Sequence, residues 1–184
     1  MNKQIIGFYK LAYNENKDSI IGALLVTDDL GKPEEFRVTH PVKPTTLQKQ
    51  LYGDSLLSTI ALQLCGKPLV ESLQKEPDLI VVSQPELIPL GEQVRPNLVH
   101  LERAGETLEV QDLSSNTTSK RQLSSESGRF EPINVNYPKT YDQQRKSEIE
   151  AFVQDAFNGI DLLEPFTRVD VAVNTLKQMD DGFK

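Results

Sequence analysis

Residues 79–83 read Leu-Ile-Val-Val-Ser, introduced by Pro77 and Asp78. A run this short and this apolar has no hydrophilic side, so it fits a strand covered on both faces, as strands inside mixed or parallel sheets are. The rest of the chain must supply strands to flank that run and helices to cover it.

The N-terminal segments supply the strands. "QIIGFYKLAY" (4–13) and "SIIGALLVT" (19–27) are rich in Ile, Leu, Tyr, Phe and Val and are separated by the polar "NENKD", which reads as a hairpin. After a turn carrying Asp28, Asp29, Gly31 and Pro33, Phe36 and Val38 alternate with Glu35 and Arg37, giving a third antiparallel strand. Thr45 followed three places later by Gln48 has the pattern of a capping box, so a helix is expected to start there, with Leu47 and Leu51 on one face and Leu57, Ile60, Ala61 and Leu64 continuing it. "NLVHLERAGETLEVQDL" offers another hairpin, with Leu108 and Val110 in its second arm. Ile149, Phe152, Val153, Ala156 and Phe157 form a helical stripe, and Pro165 opens a second helix with Phe166, Val169, Val173 and Leu176.

These patterns predict an α+β fold: a three-stranded antiparallel meander, then a helix and a further buried strand in a mixed sheet, with amphipathic helices at the C-terminus. Residues 1–112 are expected to form the core domain. Residues 113–129, where Ser and Thr dominate, are expected to form a flexible loop, because so little apolar surface does not offset the entropy of ordering. Residues 130–184 are read as a strand and two helices that pack on the core.

Composition excludes several chemistries. One cysteine and two histidines far apart in sequence do not make a Cys/His zinc site. The net charge of -7 opposes a polyanionic partner, and the only basic concentrations are Lys120-Arg121 and Arg145-Lys146. No apolar run approaches the length of a membrane span and no secretory signal is evident, so a cytoplasmic protein is expected.

The stretch Gly53-Asp54-Ser55-Leu56 matches the nucleophile motif of the GDSL esterases, and Ser55 is the one candidate catalytic residue. In that family the Ser follows a buried strand and a C-terminal Asp-x-x-His supplies the base. Here the motif lies between helical segments, and neither His40 nor His100 stands in such a sequence. The alternative reading is a break between helices, with Gly53 supplying backbone freedom and Asp54 or Ser55 a cap. Asp28 and Asp29 are read as turn residues, and Glu34 and Glu35 as strand neighbours pointing to opposite faces, so neither pair suggests a cation site. Cys65 is read as a small buried residue.

Strand, strand, strand, helix, strand resembles the first half of the ribonuclease H fold. That resemblance implies metal ions held between carboxylates on the first strand, first helix and fourth strand. The first strand has no acid, and Asp78 stands at the entrance of "LIVVS" rather than at its carboxyl end, so the expectation is an inactive relative at most. The block from Gly22 to Gly53 also resembles one that recurs in uncharacterised bacterial proteins, which implies no activity.

The sequence reading is therefore a non-enzymatic protein that binds a protein partner as an accessory subunit, with Arg37 and Tyr52 as contacts because Arg and Tyr favour interface hot spots. It expects no cofactor, no metal and no nucleic acid. A serine hydrolase using Ser55 is the second reading, and a nucleic-acid-processing protein with an inactive ribonuclease H-like fold the third.

Overall fold

The computed structural model describes residues 4–14, 16–105 and 118–183. These form a mixed seven-stranded sheet in the order β3-β2-β1-β4-β5-β7-β6. The strands are β1 (Ile5–Tyr13), β2 (Ile20–Asp28), β3 (Pro33–Val38), β4 (Leu79–Val82), β5 (Asn97–Arg103), β6 (Thr118–Leu123) and β7 (Ile133–Tyr137). β1 to β3 are the expected meander, β4 runs parallel to both β1 and β5, and β7 is antiparallel to β5 and β6. The fold is α+β.

Alternation along the central strands explains why "LIVV" has no polar side. Leu79 and Val81 join Ile6 and Phe8 in a core under the C-terminal helices α4 (Gln143–Gly159) and α5 (Glu164–Met179). Ile80 and Val82 join Tyr9 and Leu11 in a second core on the opposite face. Both neighbours of β4 are strands and both its faces carry helices, so every position on it must be apolar. On the α5 side, Phe8 meets Phe166 edge to face with ring centroids 5.7 Å apart. The stripe expected on α4 is buried at Ile149, Val153, Ala156 and Phe157, and Asp142 caps that helix by accepting from the Arg145 N–H at 2.8 Å.

The opposite face is covered by a 3₁₀ helix, Pro85–Glu92, and by a continuous helical segment from Ser55 to Glu71. That segment comprises α2 (Ser55–Ser58), a wide π-type stretch at Thr59–Gly66 and α3 (Lys67–Glu71). The π-type winding changes which residues face inward: Ile60, Ala61, Leu62 and Cys65 are buried, while Leu64 is 52% exposed. The capping box at Thr45 is present, and it opens α1 (Thr46–Tyr52). None of the residues of α1 is buried, so Leu47 and Leu51, expected to face a core, lie on the surface at 63% and 74% exposure.

Within the span expected as a flexible loop, Thr118–Leu123 form β6, whose backbone pairs with β7 and whose Leu123 is buried. Residues 113–117 of that span lie outside the described residues, as does the second arm of the hairpin expected at Leu108 and Val110.

Candidate functional site

Ser55 begins α2 after Gly53, whose φ of 51° gives the chain its turn between α1 and α2. Its hydroxyl donates to the Tyr52 carbonyl at 2.7 Å, so it neither faces backbone N–H groups nor meets a base. Asp54 stands at the N-cap position without a side-chain cap bond. Both histidines have other neighbours. His40 stacks on Phe183 with ring centroids 5.8 Å apart, and His100, buried, lies 2.9 Å from the Asn136 amide nitrogen. Arg37 is held by Glu35, Nε to Oε1, at 2.6 Å, while Tyr52 is half-exposed at the end of α1.

The paired acids have structural partners. Asp28 Oδ1 accepts from the Leu30 and Lys32 N–H groups at 3.0 and 2.8 Å, which accounts for it as a turn residue. Glu34 and Glu35 depart from the strict alternation expected of a strand. A register shift between β2 and β3 at Val26/Thr27 breaks the two-residue period there, and both carboxylates reach the same segment. Glu34 pairs with the Lys75 ammonium, and Glu35 accepts from the Gln74 and Lys75 N–H groups at 3.0 and 3.3 Å. Burial pushes the Glu35 carboxyl up, but the Arg37 hydrogen bond and those two N–H groups outweigh it and hold the group below its usual range. Cys65 is buried against β2, and burial raises its thiol above the ordinary range, so it is an inert packing residue.

In open sheets of this kind ligands favour the crevice beyond the carboxyl ends of the strands. Here the corresponding place is the carboxyl end of β4, beside Lys10 and Leu11 of β1, and the chain's own side chains bond across it. Lys10, the one charged residue of β1, points toward α5, and its ammonium lies 2.7 and 2.9 Å from the two carboxylate oxygens of Asp170. Where β4 ends, Gln84 clamps the backbone of Leu11, accepting from its N–H at 2.7 Å and donating to its carbonyl at 3.3 Å. About two turns further along α5, Lys177 donates to the Tyr13 carbonyl at 2.9 Å. Sequence reasoning passed over Lys10 and Gln84. The signal was there: a lone ammonium inside an otherwise uncharged strand must find a counter-charge or water.

The carboxylates that a ribonuclease H-type metal site would use are missing. β1 reads IIGFYKLAY, α1 reads TLQKQLY and β4 reads LIVV, with no acid in any of them. Among the described residues no cluster of three or more His, Cys, Asp or Glu side chains is placed to hold a metal ion. The donor set does not fit a divalent cation held between these elements.

Arg121, Lys146 and Arg145, three residues of the basic pairs singled out in the sequence, lie at the other end of the sheet, around Tyr137 and Tyr141. Arg121 of β6, 60% exposed, bonds Glu150 of α4 at 2.9 Å, and the Lys146 ammonium stands 6.0 Å from the centre of the Tyr137 ring. Burial and the Glu150 carboxylate push the Tyr137 hydroxyl above its usual range, while Arg121 acts in the opposite sense. Beside them Arg145 lies flat over Tyr141, its guanidinium carbon 3.7 Å from the ring centre.

No protein-family model matches the sequence, and no curated protein is similar to it. Solved structures are. Endonuclease V from Streptomyces avermitilis superposes with a TM-score of 0.61 at 15% identity, over 97% of this chain and 87% of that one. The fold is that of endonuclease V. The enzyme from Bacillus subtilis gives a TM-score of 0.56 at 11% identity over 97% and 82% of the two chains. Endonuclease V from Ciona intestinalis, in complex with a 24mer DNA containing an inosine followed by a ribo-adenosine, gives 0.51 at 11% over 97% and 88%.

This likeness corrects two expectations. The reading as a non-enzymatic accessory protein does not stand, because these neighbours are nucleic-acid-processing enzymes matched over nearly the whole chain. The reading against nucleic acid does not stand either, since one of them is held on DNA. Overall charge misled there: a net value averages over the surface and says nothing of a local basic concentration such as the one around Tyr137. Among the described residues no helix is long and apolar enough to cross a membrane.

Proposed function

We propose that this protein acts on nucleic acid in the cytoplasm, using the endonuclease V fold, and that Arg121 and Lys146 meet the phosphate backbone. The observation that carries the reading is the match to endonucleases over 97% of the chain. With a net charge of -7, contact with a polyanion must come from local clusters, and Arg121, Lys146 and the half-buried Arg145 form one flanked by aromatic rings. Inosine-containing oligonucleotides are the natural first probes, because inosine is what the Ciona intestinalis enzyme was captured with.

The test is retention of labelled single- and double-stranded oligonucleotides, with and without inosine, across a salt series, followed by denaturing gels to detect strand scission. Retention that weakens linearly in log affinity against log salt is expected. Absence of retention on all four probes at low salt would overturn the proposal.

A further inference from the structure

Beside the carboxyl end of β4 the chain supplies a cation of its own, the Lys10 ammonium. We infer that the Lys10 ammonium, held by both oxygens of Asp170, takes the place of a divalent metal there, so that the protein engages nucleic acid without one. The inference rests on the reading that nucleic acid is the partner. It starts from the disagreement between the metal that a ribonuclease H-type sheet implies and the residues this chain presents.

Four observations support it. β1 and β4 carry no carboxylate, and the one acid of the helical segment packed on the sheet, Glu71, is 64% exposed and pairs with Lys67. The acid that does reach the crevice, Asp170 on α5, already has a cation 2.7 Å from one oxygen and 2.9 Å from the other. The Lys10 side chain is only 17% exposed, so although Asp170 is 48% exposed, a divalent ion competing for it would have to displace an ammonium lodged between β1 and α5. Finally, the Gln84 amide occupies the backbone groups of Leu11 that open toward the crevice, with both its oxygen and its nitrogen engaged. A hard cation with several oxygen ligands to gather finds one carboxylate there, and that one is neutralised.

A tethered ammonium also gives the fold something that an exchangeable ion would not. It ties β1 to the middle of α5, and Lys177 adds a second tie at Tyr13.

The experiment compares the wild-type protein and two variants in chelator and in millimolar Mn²⁺, reading thermal melting, the free-Mn²⁺ electron paramagnetic resonance signal and oligonucleotide retention. For the wild type, an unchanged melting temperature, an undiminished Mn²⁺ signal and equal retention in both conditions are expected. A site filled a hundredfold above its Kd would instead raise the melting temperature by roughly 5–11 °C. Lys10→Asp places a second carboxylate opposite Asp170 and should acquire Mn²⁺-dependent stabilisation; Lys10→Met removes the ammonium alone and serves should the Asp variant not fold. Wild-type binding of Mn²⁺ that disappears in Asp170→Asn would overturn the inference, as would retention present in Mn²⁺ and lost in chelator. Absence of retention in both conditions is a separate outcome: it overturns the nucleic-acid reading and the clause that depends on it, while the Mn²⁺ titration still decides whether the crevice takes a metal.

Discussion

Replacing Gly22 with Ala tests how β2 carries the helical layer. Gly22 is the third residue of β2, and a Cβ built there would stand 2.6 Å from the Cβ of Cys65, 3.1 Å from Leu69 Cδ1 and 3.4 Å from Cys65 Sγ. The nearest atom is fixed to the backbone of the π-type stretch and does not swing aside as a side-chain tip would, so the helix must move off the sheet. Overpacking of this kind costs about 1–3 kcal/mol. Ala regains about 0.5–1 kcal/mol because Gly is a poor strand residue. The net expectation is a loss of about 1–2 kcal/mol, or roughly 2–8 °C in melting temperature for a chain of this size. The assay is a double-mutant cycle by thermal and urea melting with Cys65→Gly, which removes the clashing Cβ and Sγ. In that background Gly22→Ala should cost little, leaving a coupling of about 1–2 kcal/mol between the two sites. A Gly22→Ala protein as stable as the wild type, or a cost undiminished by Cys65→Gly, would refute the packing account.

Two further outcomes follow from the surface groups. Exchanging Arg121 and Lys146 for Glu should weaken oligonucleotide retention about equally for every sequence and reduce the slope of log affinity against log salt by about 1.8 on duplex DNA, or 0.9 per phosphate contact; an unchanged slope places the interface elsewhere. Glu35 should give acid-sensitive stability. Its carboxyl sits below the usual range in the folded protein, so its contribution is complete above the ordinary carboxylate pKa and is lost as pH falls through the lowered folded value. The stability gap between wild type and Glu35→Gln should therefore narrow on acidification below about pH 4.5, the ordinary carboxylate value; urea titrations showing a gap that is constant or wider there would contradict the assignment.

Much of the architecture was legible in the chain because it rests on local pattern. The apolar richness of 4–13 and 19–27, the apolar run at 79–82 and the stripe on α4 each reflect a strand or helix that must bury one face or both, the capping box at Thr45 is a purely local pattern, and all are found. Where the period is altered locally, pattern reading failed. The π-type winding at 59–66 turned Leu64 outward, and the register shift opposite Glu34 brought two acids to one segment. Both depend on how an element seats against its neighbour, which its own composition does not encode.

Chemistry divided in the same way. The sequence by itself determined what is missing: no acid on the first strand, no base for Ser55, no ligand set for zinc. These are statements about residue identity and need no coordinates. Only the tertiary structure decided what stands in the gap. Lys10 and Asp170 are 160 positions apart and Leu11 and Gln84 are 73 apart, and the parallel pairing of β1 with β4 and the docking of α5 make them neighbours. Arg121 and Lys146 flank Tyr137 for the same reason: β6 pairs with β7, and α4 packs beside both. A side chain's chemistry is set by the charge and water around it, and in this protein those neighbours come from strands and helices far along the chain.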